Sequence, residues 1–459
     1  MQPYRRWHAS APHGQCRLSG RASESESMSE AAPAPALTKS RAILRSLAAI
    51  GPGILVMLAD ADVGNVATSA QAGARWGFRL LPLLVVLIPV LYIIQELTVR
   101  LGIFTRRGLG ELVRERFGRT WSVIAGIGLV TVVLASLVTE FTGVASIGEL
   151  YGVSRNFCVP LAAFILLCIV ATGTYRRIEH ITLWIGAFQL AFFVVAAAAR
   201  PGLHRVASEM IDLPMGNSGF LFLGAAIIGA CFNPWMMFYQ QSAVVDKRLD
   251  SRDYAMSRAE TAVGSVVAQL LTASVLFAVA TTAGPLGIGA HLQTIGDISV
   301  TMKPLLGDTL GPLVFSAGVL GASMVAAVVC SLAMAWGVGE LCGLRRTLEY
   351  QPRRLRWFFL IYLAGTVFAA ALVLCSRNLL WLNILAQVAN VFTLPFVMGF
   401  VIVLAATCLP GRHLLRGWYL WLTVFLAVLT CGCGLVGAAQ GILGGADPMA
   451  ASMLYRDAR

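Results

Sequence analysis

The chain has 459 residues, of which 57% are hydrophobic and only 13% charged, and its mean hydropathy is +0.75. A water-soluble domain has no use for that much apolar surface, so the composition excludes a soluble globular class and points to a polytopic membrane protein. The formal charge of +12 does not indicate nucleic acid, because the basic residues sit in short loops between apolar runs and serve no DNA- or RNA-binding motif.

Residues 1–38 are polar, with Ser23–Glu30 reading SESESMSE before an Ala/Pro tract. No apolar core precedes a cleavage site, so this segment reads as a disordered cytoplasmic tail rather than a signal peptide, and Met28 is a second candidate start. Residues 39–459 read as one transmembrane domain. Its apolar segments of spanning length fall at about 43–72, 78–99, 121–148, 157–175, 180–199, 218–242, 259–285, 312–340, 356–376, 380–407 and 416–440. The fold class expected is therefore all-α with about eleven transmembrane helices. Loops after the even-numbered spans carry basic clusters such as Arg106-Arg107, Arg176-Arg177, Lys247-Arg248, Arg345-Arg346 and Arg353-Arg354. The positive-inside rule then places the N-terminus in the cytoplasm and the C-terminus outside, in a plasma (bacterial inner) membrane.

Span 1 contains Leu58–Asn65, LADADVGN, with Asp60 and Asp62 near its midpoint. A carboxylate at that depth costs at least ~2.5–3.5 kcal/mol, so it needs a cation, a partner or a water-filled cavity. Gly is a poor helix residue, and the expected break falls at Val63-Gly64. Broken backbone is tolerated at membrane depth only where it lines a cavity or packs on protein. Asp62, a freed carbonyl and the Asn65 amide oxygen together would make a hard-oxygen cation site; a structural Asp paired with a basic group is the alternative. Asp60 and Asp62 are two apart and would face different directions on an unbroken helix, so Asp60 is the weaker candidate.

Span 6 reads GAAIIGACFNPWMMFYQQSAVVDK from Gly224 to Lys247, with Asn233-Pro234 in mid-span. Pro removes one helix hydrogen bond and frees backbone near Ala230. Two interrupted helices five spans apart are the sequence sign of an inverted-repeat transporter with its substrate between the breaks. The repeats would cover about 43–199 and 218–407, with an extra helix at about 416–440.

The other intramembrane polar residues carry weaker signals. Glu140 in span 3 either lines the inner route or pairs with a buried Arg. Glu96 and Arg100 are placed for a plain i,i+4 pair. Gln240, Gln241 and Asp246 read as interfacial residues or an exit lining, Trp235 as core packing, and Glu179-His180 as solvated loop. Ten cysteines lack any metal-ligand spacing and read as packing.

From Gly51 to about Phe117 the sequence resembles the natural resistance-associated macrophage protein family of divalent-metal transporters. GPGILVMLADADVGN is similar to that family's GPG…DPGN first-helix motif, with Val63 in place of the proline, and LTVRLGIFTRRGLGELVRERFG resembles its stretch after the second helix. Weaker matches are Glu140-x-x-Gly143-x-Ala145, Gly229-Ala230 and Gln387…Leu394-Pro395-Phe396. The resemblance implies an inverted five-plus-five repeat of the amino-acid/sodium symporter type. It also implies Asp62 and Asn65 as first-helix ligands, a backbone carbonyl from Ala230, and Gln387 near the ion in some states. Asn233 stands where the transition-metal members carry a methionine, Trp235 and Gln240 where they carry histidines, and Leu137 where they carry an acid. An amide oxygen in place of a thioether favours hard ions. The set of departures looks like the NRAMP-related magnesium transporters, whose span-6 ending NPWMMFYQQSAVVDK resembles.

The function expected is import of Mg²⁺, with Mn²⁺ as a further substrate, by alternating access with weak or no proton coupling. A proton-coupled Mn²⁺/Fe²⁺ importer, a sodium-coupled organic-solute carrier and a non-transporting metal sensor are the other readings. An enzyme is not expected, since no HExxH or suitably placed GxSxG occurs. No cofactor is implied; the partners are divalent ions and the bilayer.

Overall fold

The computed structural model describes residues 51–286, 292, 294–344, 356–376 and 379–443. The tail with Met28 and the basic pairs Arg345-Arg346 and Arg353-Arg354 lie outside the described residues. Among the described residues every regular element is helical. Span 1 is two helices, α1 (Pro52–Asp60) and α2 (Val63–Trp76). Next come α3 (Leu81–Thr105) and α4 (Leu109–Leu150). Within α4, Gly118 has φ 82°, a left-handed conformation that suits glycine, and it kinks a short basic-end helix against span 3. Then follow α5 (Arg155–Ala171), α6 (Tyr175–Gly186), a 3₁₀ turn over Ala187–Leu190 and α7 (Ala191–Ala198).

A short amphipathic helix, α8 (Leu203–Ile211), leads to the second interrupted element, α9 (Ser218–Cys231) and α10 (Pro234–Asp246). The remainder is α11 (Tyr254–Leu286), the loop helices α12 (Ile295–Val300) and α13 (Lys303–Leu306), α14 (Leu310–Cys342), α15 (Arg356–Cys375), α16 (Leu379–Thr407) and α17 (Gly417–Leu443). Nine continuous or interrupted stretches among the described residues are long and apolar enough to cross a membrane. The 17-residue α5 and the α1/α2 pair fall outside that number, and the eleven expected spans are reached only by adding them.

Helices α4 and α14 pack along one another, and α11 lies along α2. Their facing surfaces bury Leu129, Val133, Leu137, Val329, Ala333 and Trp336 in one apolar core. Both broken helices cross this core, so their freed backbone groups meet protein rather than lipid, as the absence of water in hydrocarbon demands.

Candidate cation site

The first break lies just before the position expected from glycine. Helix α1 ends at Asp60, Ala61 leaves the helical region (φ −74°, ψ 50°), and Asp62 is extended (φ −77°, ψ 177°). The Asp62 carboxylate accepts the Asn65 backbone N–H at 2.7 Å, so it is the N-cap of α2. Capping by an acid sets the break, and Val63 and Gly64 are the first helical residues after it. Gly64 serves another purpose. A Cβ there would collide with the Gln387 amide and lie 3.1 Å from the Asp62 carboxylate.

The second break follows from Pro234, which begins α10 where its missing N–H costs nothing. Phe232 and Asn233 are non-helical, and the Ala230 carbonyl is left for side chains. It accepts from Asn65 Nδ2 at 3.1 Å and Asn233 Nδ2 at 2.9 Å. Asn65 Nδ2 also donates to the Asp60 carbonyl. The expected orientation of Asn65, with its oxygen beside Asp62, is therefore not the one observed. Its nitrogen ties the two breaks together, because freed carbonyls need donors, and its oxygen faces Cys231 Sγ at 3.5 Å.

Helix α16 closes the cluster. Asn390 Nδ2 donates to Asn233 Oδ1 at 2.6 Å and Gln387 Oε1 at 2.9 Å, while Asn233 Nδ2 lies 3.4 Å from Asp62 Oδ2. Asp62, Asn233, Asn390 and Gln387 thus form one connected set from spans 1, 6 and 10. Sequence reasoning missed Asn390. Its signal was an amide three residues after Gln387, on the same helical face of an apolar span. Asp60, Asp62, Asn65, Asn233 and Gln387 have no exposed surface, and Asn390 has 1%. The cluster is occluded from both ends of the molecule.

Glu140 joins this region without the Arg partner that was one of its two readings. Its Oε2 takes the Val63 N–H, the first donor of α2, at 3.4 Å, and its Oε1 has no hydrogen-bond partner among the described residues. Gln240 and Gln241 are fully buried rather than interfacial. Gln240 bonds Thr261 at 3.1 Å and Thr98 at 3.4 Å, which ties spans 2, 6 and 7, since a buried amide must find partners. Trp235 is core packing as expected, its indole N–H on Ser136 at 3.0 Å. Glu96 and Arg100 make their i,i+4 pair at 2.7 Å, with the Tyr254 hydroxyl also donating to Glu96.

Glu179 departs most from expectation. It is buried on α6 and pairs with buried Lys247 at 3.0 Å. The same end of the molecule holds Glu260, whose Oε1 accepts the Gly51 and Ile54 N–H groups at 2.6 and 2.9 Å and so caps α1. Gly51 (φ 152°) sits where these groups meet: a Cβ would collide with the Glu179 carboxylate and lie 2.9 Å from Lys247 Nζ. Above them Tyr175 and Tyr239 share a hydroxyl contact of 3.2 Å. Spans 1, 5, 6 and 7 are thereby locked at the basic-loop end.

A model of the natural resistance-associated macrophage protein-like family matches residues 53–440. The chain belongs to that family. Among its similar relatives is the divalent metal cation transporter MntH of Deinococcus radiodurans, 30% identical over 311 residues, 64% of this chain and 69% of that protein. MntH of Yersinia pestis is 28% identical over 323 residues, 67% and 75% of the two chains. The manganese transporter of Eremococcus coleocola superposes with a TM-score of 0.70 at 19% identity, over 90% of this chain and 92% of that one. MhsT, solved with L-phenylalanine, gives 0.57 at 14% identity over 85% and 98%. At such identities the likeness is one of fold. The fold of this family member is the symporter-like inverted repeat with broken first and sixth helices.

Proposed function

We propose that this chain is a divalent metal cation transporter that imports Mg²⁺, with Mn²⁺ as a further substrate, by alternating access with weak or no proton coupling. One observation carries the reading: the buried Asp62 carboxylate sits between two helix breaks among amide and carbonyl groups from Asn65, Ala230, Asn233, Gln387 and Asn390, without a thioether among them. Carboxylate, carbonyl and amide oxygens suit hard cations, and Mg²⁺ is held by one or two carboxylates while keeping several waters. The amide nitrogens now pair with the site's own oxygens. Half a turn of the Asn65 amide exchanges nitrogen for oxygen with almost no change of shape, and turns its part of the cluster from self-satisfied to cation-binding.

Weak coupling is supported by what fills the neighbouring positions. Trp235 and Gln240 are engaged with Ser136, Thr98 and Thr261, and neither is a proton carrier near neutral pH. Inward movement of the ion is driven by membrane potential, about 2.3 kcal/mol per charge per 100 mV. The N-terminus lies in the cytoplasm and the C-terminus outside in this reading, with repeats over about 43–199 and 218–407. A proton-coupled Mn²⁺/Fe²⁺ importer is the second reading, favoured by Glu140 Oε1 beside the break, which has no partner among the described residues.

The test is uptake into proteoliposomes of Mg²⁺ beside Mn²⁺, with a pH-sensitive dye inside. Mg²⁺ entry without acidification, abolished by Asp62→Ala, is the expected result. Mn²⁺ entry alone with matching acidification selects the second reading. In the same assay Asn233→Met raises the Mn²⁺ over Mg²⁺ flux ratio about tenfold, the size of a 1.4 kcal/mol change in preference. An unchanged ratio removes Asn233 from the selectivity account.

A further inference from the structure

Asp60 is the buried acid that the Asp62 cluster does not use. It has no exposed surface, and among the described residues neither of its carboxylate oxygens has a hydrogen-bond partner. The register between α1 and α11 shows what it faces. Glu260 takes the N–H groups of Gly51 and Ile54. One turn further, Ser265 Oγ lies 3.7 Å from Met57 Sδ, and a Cβ on Gly264 would be 2.8 Å from Met57. The next turn of each helix brings Asp60, three residues after Met57, opposite Gln269, four after Ser265.

Gln269 is itself buried, and among the described residues its Nε2 has no partner and its Oε1 meets only the Cys231 thiol at 3.5 Å. The Asn65 oxygen meets that same thiol at 3.5 Å. By this register the Asp60 carboxylate lies on the side of α1 that faces Gln269, at the C-terminal end of α1, where among the described residues the Gln269 and Asn65 oxygens meet nothing stronger than a thiol. The helix dipole there favours positive charge. An unpaired buried carboxylate is costly, and one negative charge among neutral oxygens is balanced by a monovalent ion.

We infer that Asp60 and Gln269, with the Asn65 amide oxygen, form a second cation site that takes a monovalent ion of the sodium class, on the α11 side of the break and joined to the Asp62 cluster only through Asn65. Hard oxygen donors fit such an ion. The Asn65 oxygen serves this site as the amide now stands and the Asp62 site when it turns, so the two sites share one ligand. The inference rests on the proposed function only in assigning the divalent ion to Asp62.

The experiment follows thermal unfolding of the purified full chain in EDTA while NaCl replaces N-methyl-D-glucamine chloride at constant ionic strength. It uses neither divalent ion nor transport, so failed Mg²⁺ uptake and failed sodium binding are separate results. Expected is a saturable rise in Tm that is absent in Asp60→Asn. Gln269→Leu should raise the half-saturating sodium concentration about tenfold, the loss of one ligand to a charged partner. The inference is overturned by a wild type without a saturable rise, by a rise that survives Asp60→Asn, or by an unchanged half-saturation in Gln269→Leu. Should Asp60→Asn fail to fold, Gln269→Leu decides.

Discussion

Gly229→Val lowers divalent-cation uptake by roughly ten- to a hundredfold while the protein still inserts and purifies. Gly229 lies on α9 one turn from the second break, and a Cβ there would collide with the backbone carbonyl of Gln387 and lie 2.9 Å from Val391. The obstacle is backbone, so no rotamer change relieves it. Overpacking of this kind costs about 1–3 kcal/mol, and 1.4 kcal/mol is a factor of ten. The penalty falls on the observed state, in which α16 packs on α9 beside the breaks. Initial uptake rates at matched reconstitution give the measurement, and wild-type rates would show that α16 need not approach α9 so closely. Gly229→Ala, with the smallest side chain that still meets this carbonyl, should fall between the two.

Lys247→Met opens the opposite end. The Lys247–Glu179 pair is 3% and 2% exposed, and Glu260 caps α1 beside it. Removing one member of a buried pair costs about 3–5 kcal/mol, chiefly because the other charge is stranded. Water admitted at the basic-loop end relieves that cost, so the population shifts toward states open there. Hydrogen exchange is the readout. Amides of α1 over residues 53–57 should exchange at least about tenfold faster in the variant, while those in the middle of α4 are unchanged. Glu179→Gln placed on top of Lys247→Met should recover much of the protection, since the stranded charge is gone. Equal exchange in wild type and variant would mean that the pair does not hold the gate.

The positions of the spans were legible because apolar length is a one-dimensional signal, and α11, α14, α15, α16 and α17 begin and end within about five residues of their expected limits. The breaks were legible for different reasons. Asn233-Pro234 announces its own interruption, whereas Asp60, Asp62 and Gly64 crowd three signals into one turn. Asp62 as N-cap, rather than Gly64 as helix breaker, decided the outcome by two residues.

What the sequence hid is tertiary. Glu179 follows two arginines and reads as loop, and only the closing of α6 on α10 buries it with Lys247. Glu260 reads as one polar residue near a helix start, and its role is to cap a helix more than two hundred residues earlier. Asn390 gives no local signal beyond its spacing from Gln387, because its partners come from α9 and the break before α10. The loop helices α8, α12 and α13 are too short for apolar periodicity to reveal.

The most direct test of the central claim is a calorimetric titration of Mg²⁺ into the purified protein and into Asp62→Ala. The account predicts a saturable one-site heat in the wild type and none in the variant, because Asp62 supplies the charge on which the divalent site depends. Equal Mg²⁺ binding by both proteins would contradict it and place the divalent ion elsewhere in the molecule.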